Sequence, residues 1–432
     1  MAPAAKRVIL KRMTHAALPP HTLQATACRD GRLLQRFVTD HISVNAWPIH
    51  SPVLVRRIEQ DGLDQGLARE FELDKPQLVA MMRHMYRASR RVESTLAIDN
   101  PFHCAMHNFE VFIRLLVLEW PHDAAMPEAV ARAPLQAYAT LESVLPVALG
   151  VIEALQGIGV SGSAIARDAL TALGHDYGHT GGTDRTDANG RTQALTHEEM
   201  AEKHVAGMGL RFGYPPALVL ESMAGIRATT FHHRPGRLRV QADNAFERRI
   251  TLADVMGCVL PPGQWLTHVG APVLLEKIPF WKQRSREIAV EMQSLQEQTL
   301  ANRNDSGALA SFALGQKELA AERVSMIEDI GEWFRSEHGF FVFIKTHKLE
   351  PVPGARKLWG AIVDEKIAVT EVILSKAHLL SPLAALGAEF LETFACQMSN
   401  TACLKDRLQQ DDIDVRLREL LQPFIHYPSD PH

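Results

Sequence analysis

Apolar residues recur at three- and four-residue spacing along most of this chain, and that periodicity constrains the fold more than any other feature. Across Asp74–Ser89 the positions Leu78, Met81, Met82, Met85 and Tyr86 repeat at helical spacing. Asp74, with Gln77 three residues on, reads as a capping box ahead of them. The same period runs through Val111–Trp120, Leu145–Leu155, Ala164–Leu173, Glu198–Leu210, Arg286–Leu300, Lys317–Phe334 and Lys366–Ala377. Pro146 falls near the start of its segment, where a helix tolerates proline. Two-residue alternation is rare and short, and no internal repeat is visible. The pattern predicts an all-α fold, a compact multi-helix bundle.

Turn chemistry divides the helices: Pro121–Pro127, Gly178–Gly190, Pro215-Pro216, Pro235-Gly236, Pro261–Gly263 and Pro351–Gly354 read as loops, as does the polar stretch Asn302–Gly307. Residues 1–45 lack convincing periodicity and read as a loosely attached N-terminal extension. One helical domain is expected over 46–425, with a short tail at 426–432. The 432 residues are 46% hydrophobic and 22% charged, enough for one large core or two smaller ones. A net charge of -4 argues against a nucleic-acid groove or a membrane-surface role, which favour a basic excess. No apolar run approaches the ~18 residues that span a bilayer. Cys28, Cys104, Cys258, Cys396 and Cys403 are scattered and never spaced as CxxC, which disfavours disulfides and thiolate zinc sites. A reducing cytoplasm is the simplest compartment.

The 20 histidines are the unusual feature. His103 and His107 stand four residues apart, so on a helix they share a face and can address one centre. Alone, that spacing is more often two polar residues at a helix start. The second cluster, His175-Asp176-Tyr177-Gly178-His179, follows the apolar stretch Ala164–Leu173, where a buried helix emerges. Imidazole and carboxylate without thiol suit zinc, manganese, iron or magnesium. A carboxylate can also bridge two ions, one oxygen to each. His122-Asp123 repeats the dipeptide between Pro121 and Pro127 with no histidine four residues on, and reads as loop surface. In Arg249–Val255, Asp254 is one acid in a largely apolar stretch, and a buried carboxylate needs a partner, for which a metal is the strongest candidate.

In that order, His…His-Asp…Asp resembles the ligand set of the HD-domain metal phosphohydrolases. Asn100-Pro101-Phe102-His103 through His107 to Glu110-Val111 is similar to the Pro-Tyr-His-x-x-x-His-x-x-Asp-Val signature of class I cyclic nucleotide phosphodiesterases. His175 to Gly181 resembles that family's His-Asp-x-x-His-Pro-Gly, Ala253-Asp254 its Ala-Asp, and Ser336 to Ile344 its Ser-Gln-x-Gly-Phe-Ile-x-Phe-Ile. The resemblance implies a helical bundle of that type in which His107, His175, Asp176 and Asp254 hold a first metal, zinc. Asp176 would bridge to a second, magnesium or manganese. His103 would be the general acid, His179 would stand close by, and a hydroxide activated by two metals would attack a cyclic nucleotide or related phosphodiester. Phe340 would stack on the base. His204 is either a supporting histidine or an ordinary surface one.

The chain departs from that family most at Glu337, where the family has glutamine. A carboxylate only accepts hydrogen bonds, so Glu337 suits guanine N1–H and N2–H₂ better than adenine. Thr180 replaces proline, Gly178 replaces an aspartate, and Thr230 stands where an aspartate is expected. His232-His233, beside Arg234-Pro235-Gly236, reads as a helix end. Two alternatives stay open: a broader phosphohydrolase acting on a nucleotide monoester or other phosphorylated metabolite, and a metal-retaining binding protein without turnover. The expected partner is a small nucleotide-like molecule, with neither nucleic acid nor membrane, and a homodimer is compatible with everything above.

Overall fold

Short polar side chains set where the helices begin. In the computed structural model, which describes residues 73–96, 101–179, 197–229, 244–324, 326–399 and 401–426, the Thr140 side chain accepts from the Ser143 amide while the Ser143 hydroxyl accepts from the Thr140 amide. This reciprocal cap starts a helix over Leu141–Gly157, one turn ahead of the expected start at Leu145, and leaves Pro146 inside it. Ser161, Asn244 and Asp329 cap further helices through single side-chain bonds. At Asp74 the expectation fails. Gln77 donates its side-chain amide to the Phe212 carbonyl instead of turning back to cap the helix.

The order is α1 (Lys75–Leu96), α2 (Ala105–Leu118), α3 (Glu128–Arg132), α4 (Leu141–Gly157), α5 (Gly162–Gly174), α6 (His197–Arg211), α7 (Pro216–Ala228) and α8 (Ala245–Val255). There follow α9 (Pro262–Trp265), α10 (Ala271–Ala301), α11 (Ser306–Val324), α12 (Ile330–Phe343), α13 (Ala355–Ser375), α14 (Ala377–Ala384), α15 (Gly387–Ser399), α16 (Leu404–Arg407), α17 (Val415–Leu421) and α18 (Pro423–His426). π-helical turns occupy Leu266–Gly270 and Ile344–Leu349. No strand occurs among the described residues, so the fold is all-α. Nor is any single described helix long and apolar enough to cross a membrane.

By their contacts the described residues divide into two compact units, those up to Leu260 with Thr346–Gly360, and Pro261–Lys345 with those from Ala361 on. The N-terminal extension, Thr180, Thr230 and His232-His233 lie outside the described residues.

In the first unit α2 is the central rod: Val111 through Leu118 are all buried, and α4, α5 and α8 pack around it. That stretch is buried on every face because it meets neighbours on every face, and its one charge, Arg114, pairs with Glu110 at 3.0 Å. α5 packs in turn on α6 and α7. Gly174 permits the α5–α6 approach, since a Cβ there would overlap the Val205 side chain. A buried ion network ties three of these helices together. The Arg167 guanidinium bridges Glu119, just beyond α2, at 2.8 Å and Asp168 on α5 at 2.9 Å, while Arg249 of α8 also pairs with Glu119. Arg167 lies 4.0 Å over the Phe246 ring, which covers the network from one side.

In the second unit α10 packs on α11 and α15, and Trp265, Trp333, Phe334, Phe341, Phe394 and Phe424 form an aromatic cluster. The single helix expected over Lys317–Phe334 is two helices. α11 ends at Val324 and α12 starts at Ile330, where Asp329 accepts from the Glu332 amide. A cap in mid-pattern breaks a helix even when the apolar spacing carries across it. The loop expected over Asn302–Gly307 does separate α10 from α11, with Asp305 accepting from the Gly307 and Ala308 amides.

Candidate metal centre

Three helix ends of the first unit deliver four ligands. His107 lies in the first turn of α2, His175 is the C-terminal cap of α5, Asp176 follows it, and Asp254 is the penultimate residue of α8. The Arg167–Glu119–Arg249 network ties α8 and α5 to the far end of α2 through partly buried charge pairs. Past His175 the chain leaves the helix in a tight turn, in which the His179 amide donates to the Asp176 carbonyl at 3.0 Å. Gly178 takes φ +81° in that turn, a conformation that a side chain would strain.

One ligand atom from each of His107, His175, Asp176 and Asp254 lies within 4.8 Å of the others. His175 Nε2 is 3.2 Å from both Asp176 Oδ2 and Asp254 Oδ1, and His107 Nε2 is 3.6 Å from the same two oxygens. Ligands around an ion with bonds of ~2.1 Å in a tetrahedron are separated by roughly 3.4 Å, so these spacings match the edges of a coordination shell. The donor chemistry agrees: two imidazoles and two carboxylates suit a divalent cation. His175 donates through Nδ1 to the Ala172 carbonyl at 2.8 Å, which selects the tautomer that leaves Nε2 as a ligand. Both ring nitrogens of His107 and Oδ2 of Asp176 are buried without a protein hydrogen bond. Buried polar atoms left so are costly, and an ion would satisfy two of the three.

The electrostatics of the bare cluster lead to the same conclusion. Burial alone would raise the Asp176 and Asp254 carboxyls, yet His175 holds both below the ordinary carboxylate range. Conversely, burial would lower His175, but the two carboxylates push it well above the usual histidine value. Burial lowers His107. Without a cation, one imidazolium therefore sits against two carboxylates. A divalent ion with two neutral imidazoles and two carboxylates balances the charge.

His103 lies just before α2, in a bend rather than on the helix, so it does not share a helical face with His107. The rings are nevertheless 5.6 Å apart, and His103 stacks on His179 at 4.3 Å. The Phe102 ring packs 4.3 Å from His107. All six residues expected from the two local clusters and Asp254 thus come together. Glu337 and Phe340 belong to α12 of the second unit. There burial pushes the Glu337 carboxyl up to about 7, opposed by Lys277 and by a hydrogen bond from the Trp333 side chain. Phe340 is half-buried, 6.1 Å from the Phe341 ring.

His122 and Asp123 are exposed in a turn, as expected. His204 lies flat against the Tyr177 ring at 3.6 Å and 2°, with Nε2 buried, and burial pushes it down to about 3. It is a neutral packing partner of the residue next to Asp176, not a surface histidine. The sequence reading missed Tyr177 and the Glu119–Arg167–Arg249 network. The only available signal was charge within otherwise apolar segments, which does not identify partners. No protein-family model, curated protein or solved structure matches the chain.

Proposed function

We propose that the protein is a metal-dependent phosphohydrolase acting on a cyclic nucleotide or a closely related phosphodiester. The observation that carries this reading is the buried quartet of His107, His175, Asp176 and Asp254, spaced as ligands of one divalent ion. In this reading His107, His175, Asp176 and Asp254 would hold a first ion, zinc, and Asp176 would also serve a second, magnesium or manganese. When bound, such ions supply Lewis acidity, which acidifies water and neutralises charge on phosphoryl oxygens.

The remaining chemistry falls to the histidines beside the quartet. His103 is half-buried, is no part of the quartet, and lies within one ring's reach of His107. An imidazole so placed can give a proton to the departing oxygen near neutral pH. His179 restrains its ring plane by stacking. A pure metal-binding module has no use for this pair, which favours turnover.

The test is metal content and turnover together. Purified protein should carry transition metal in amounts comparable to protein, and Asp176→Asn and Asp254→Asn should lose it, because a neutral amide is a poor ligand. Full occupancy in both variants would remove these residues from the centre. Release of nucleoside monophosphate from cyclic nucleotides is expected, and release of free phosphate alone would move the substrate to the monoesters.

A further inference from the structure

We infer that Glu93 of α1 is the positioning residue for His107: its carboxylate caps the first turn of α2 from a neighbouring helix and fixes where that imidazole stands. Glu93 Oε1 accepts from the Ala105 amide at 2.8 Å. Ala105 is the first residue of α2 and His107 the third, about 3 Å further along the axis. The first amides of a helix have no carbonyl behind them and need an acceptor from elsewhere. Cys104 stands at the cap position but makes no side-chain capping bond, and the first turn of α2 contains no acid. The acceptor comes instead from α1, 12 residues back in the chain.

Glu93 is built for this contact. Its other oxygen, Oε2, accepts from Arg90 Nη1 at 2.9 Å, one turn earlier on α1. The Arg90 side chain is 61% exposed and that of Glu93 only 13%, so the guanidinium stays in water while the carboxylate turns inward. An ionised acceptor makes the stronger kind of hydrogen bond, and a negative charge is favourable at the start of a helix.

A second bond grips the same turn. Asn108 donates its side-chain amide to the Leu173 carbonyl of α5 at 3.3 Å, two residues before His175. His107 therefore stands between a bond to α1 and a bond to α5. Just ahead of it the Cys104 amide donates to the Phe102 carbonyl at 2.7 Å, closing the turn that carries His103. The Phe102 ring packs on both histidines, 4.9 Å from His103 and 4.3 Å from His107. Ligand geometry tolerates displacements of only about 0.5 Å, and a frayed first turn exceeds that. The consequence for metal binding rests on reading His107 as a ligand, whereas the clamp rests on these contacts alone.

The test labels the full chain, stripped of metal, with diethylpyrocarbonate, which modifies accessible neutral imidazoles, and reads each histidine by tandem mass spectrometry. His107 is 2% exposed, and burial lowers its value, so it is neutral but shielded. Glu93→Ala should raise its labelling by about tenfold, the shift in a local opening equilibrium that a lost cap brings. His204, also buried and neutral but on α6, should stay shielded. Glu93→Gln keeps an oxygen that can accept from Ala105 and should stay near wild type. Glu153→Ala removes the exposed Lys75–Glu153 pair at the other end of α1 and should change nothing. Cobalt(II) affinity, measured by competition with a chromophoric chelator, should fall about 10–100-fold in Glu93→Ala and no more than about fivefold in Glu93→Gln. Unchanged labelling of His107 in Glu93→Ala, or an equal rise at His204, overturns the inference. So does a Glu93→Gln variant as damaged as Glu93→Ala. A wild-type chain that takes up no cobalt refutes the metal reading instead, and the labelling comparison still decides on Glu93.

Discussion

Replacing Glu337 by Gln removes a half-buried ionisable group while keeping the side chain's shape, and the two proteins should diverge in stability only as pH rises. In the unfolded chain the carboxyl titrates at its ordinary value of 4.5, whereas in the folded protein burial moves it to about 7. Below the lower value both states hold the proton, and the folded protein bears no ionic penalty. Between the two values the unfolded chain releases the proton and the folded protein keeps it, so stability falls with pH. Above about 7 the folded state ionises too, and the loss levels off. At about 1.4 kcal/mol per pH unit the full loss is at most about 3 kcal/mol. Solvent reaching the half-buried residue brings it to about half of that. The glutamine introduced by Glu337→Gln does not titrate, and its amide oxygen can still accept from the Trp333 indole. Urea unfolding by tryptophan fluorescence at a pH below 4.5 and at pH 8.5 should therefore show near-equal midpoints at the acid end. At the alkaline end Glu337→Gln should be the more stable by roughly 1–3 kcal/mol. A difference that stays constant across that range would refute the assignment of a buried, raised carboxyl.

Two further outcomes follow from the metal centre. His103→Asn should leave metal content nearly unchanged while lowering turnover by roughly 10²–10⁴-fold, and the loss should shrink for a nitrophenyl phosphodiester, whose leaving group needs no proton. An equal loss on good and poor leaving groups would show that His103 does something else. Gly174→Ala forces α5 away from Val205 beside His175, so stability should fall by about 1–3 kcal/mol and metal affinity with it. Adding Val205→Ala should restore both, and a failure to restore either would place the damage elsewhere.

Much of this architecture can be read in the sequence because helices announce themselves locally. The apolar spacing over Ala164–Leu173 and Val111–Trp120 corresponds to α5 and α2, the helices that carry His175 and His107. Errors arose where a side-chain hydrogen bond outweighed periodicity. Asp329 breaks the helix expected across Lys317–Phe334, and Gln77 bonds to Phe212 rather than to its own helix end. The division into two units left no mark in composition. Long-range charge pairing was also illegible: Arg167, Glu119 and Arg249 lie far apart in the chain, and only the folded helices show that they meet. His204 was ambiguous because burial, which no single residue encodes, decides whether a histidine is a charged surface group or a flat packing partner.

The same dependence on burial changes what residue type implies at Glu337. Read from the sequence, a carboxylate in place of glutamine accepts hydrogen bonds and cannot donate, so it would favour a donor-rich ligand edge. Folding alters that premise. With its value raised to about 7, the Glu337 carboxyl is partly protonated near neutral pH. A protonated carboxyl has one O–H donor and one carbonyl acceptor, the same pairing that an amide offers. The Trp333 indole donates to it, and Lys277 favours the ionised form, so the balance between the two forms is set inside the second unit. The polarity that Glu337 presents is therefore a function of pH. Below about 7 it offers a donor and an acceptor as an amide would, and above that it becomes the acceptor that its residue type suggests.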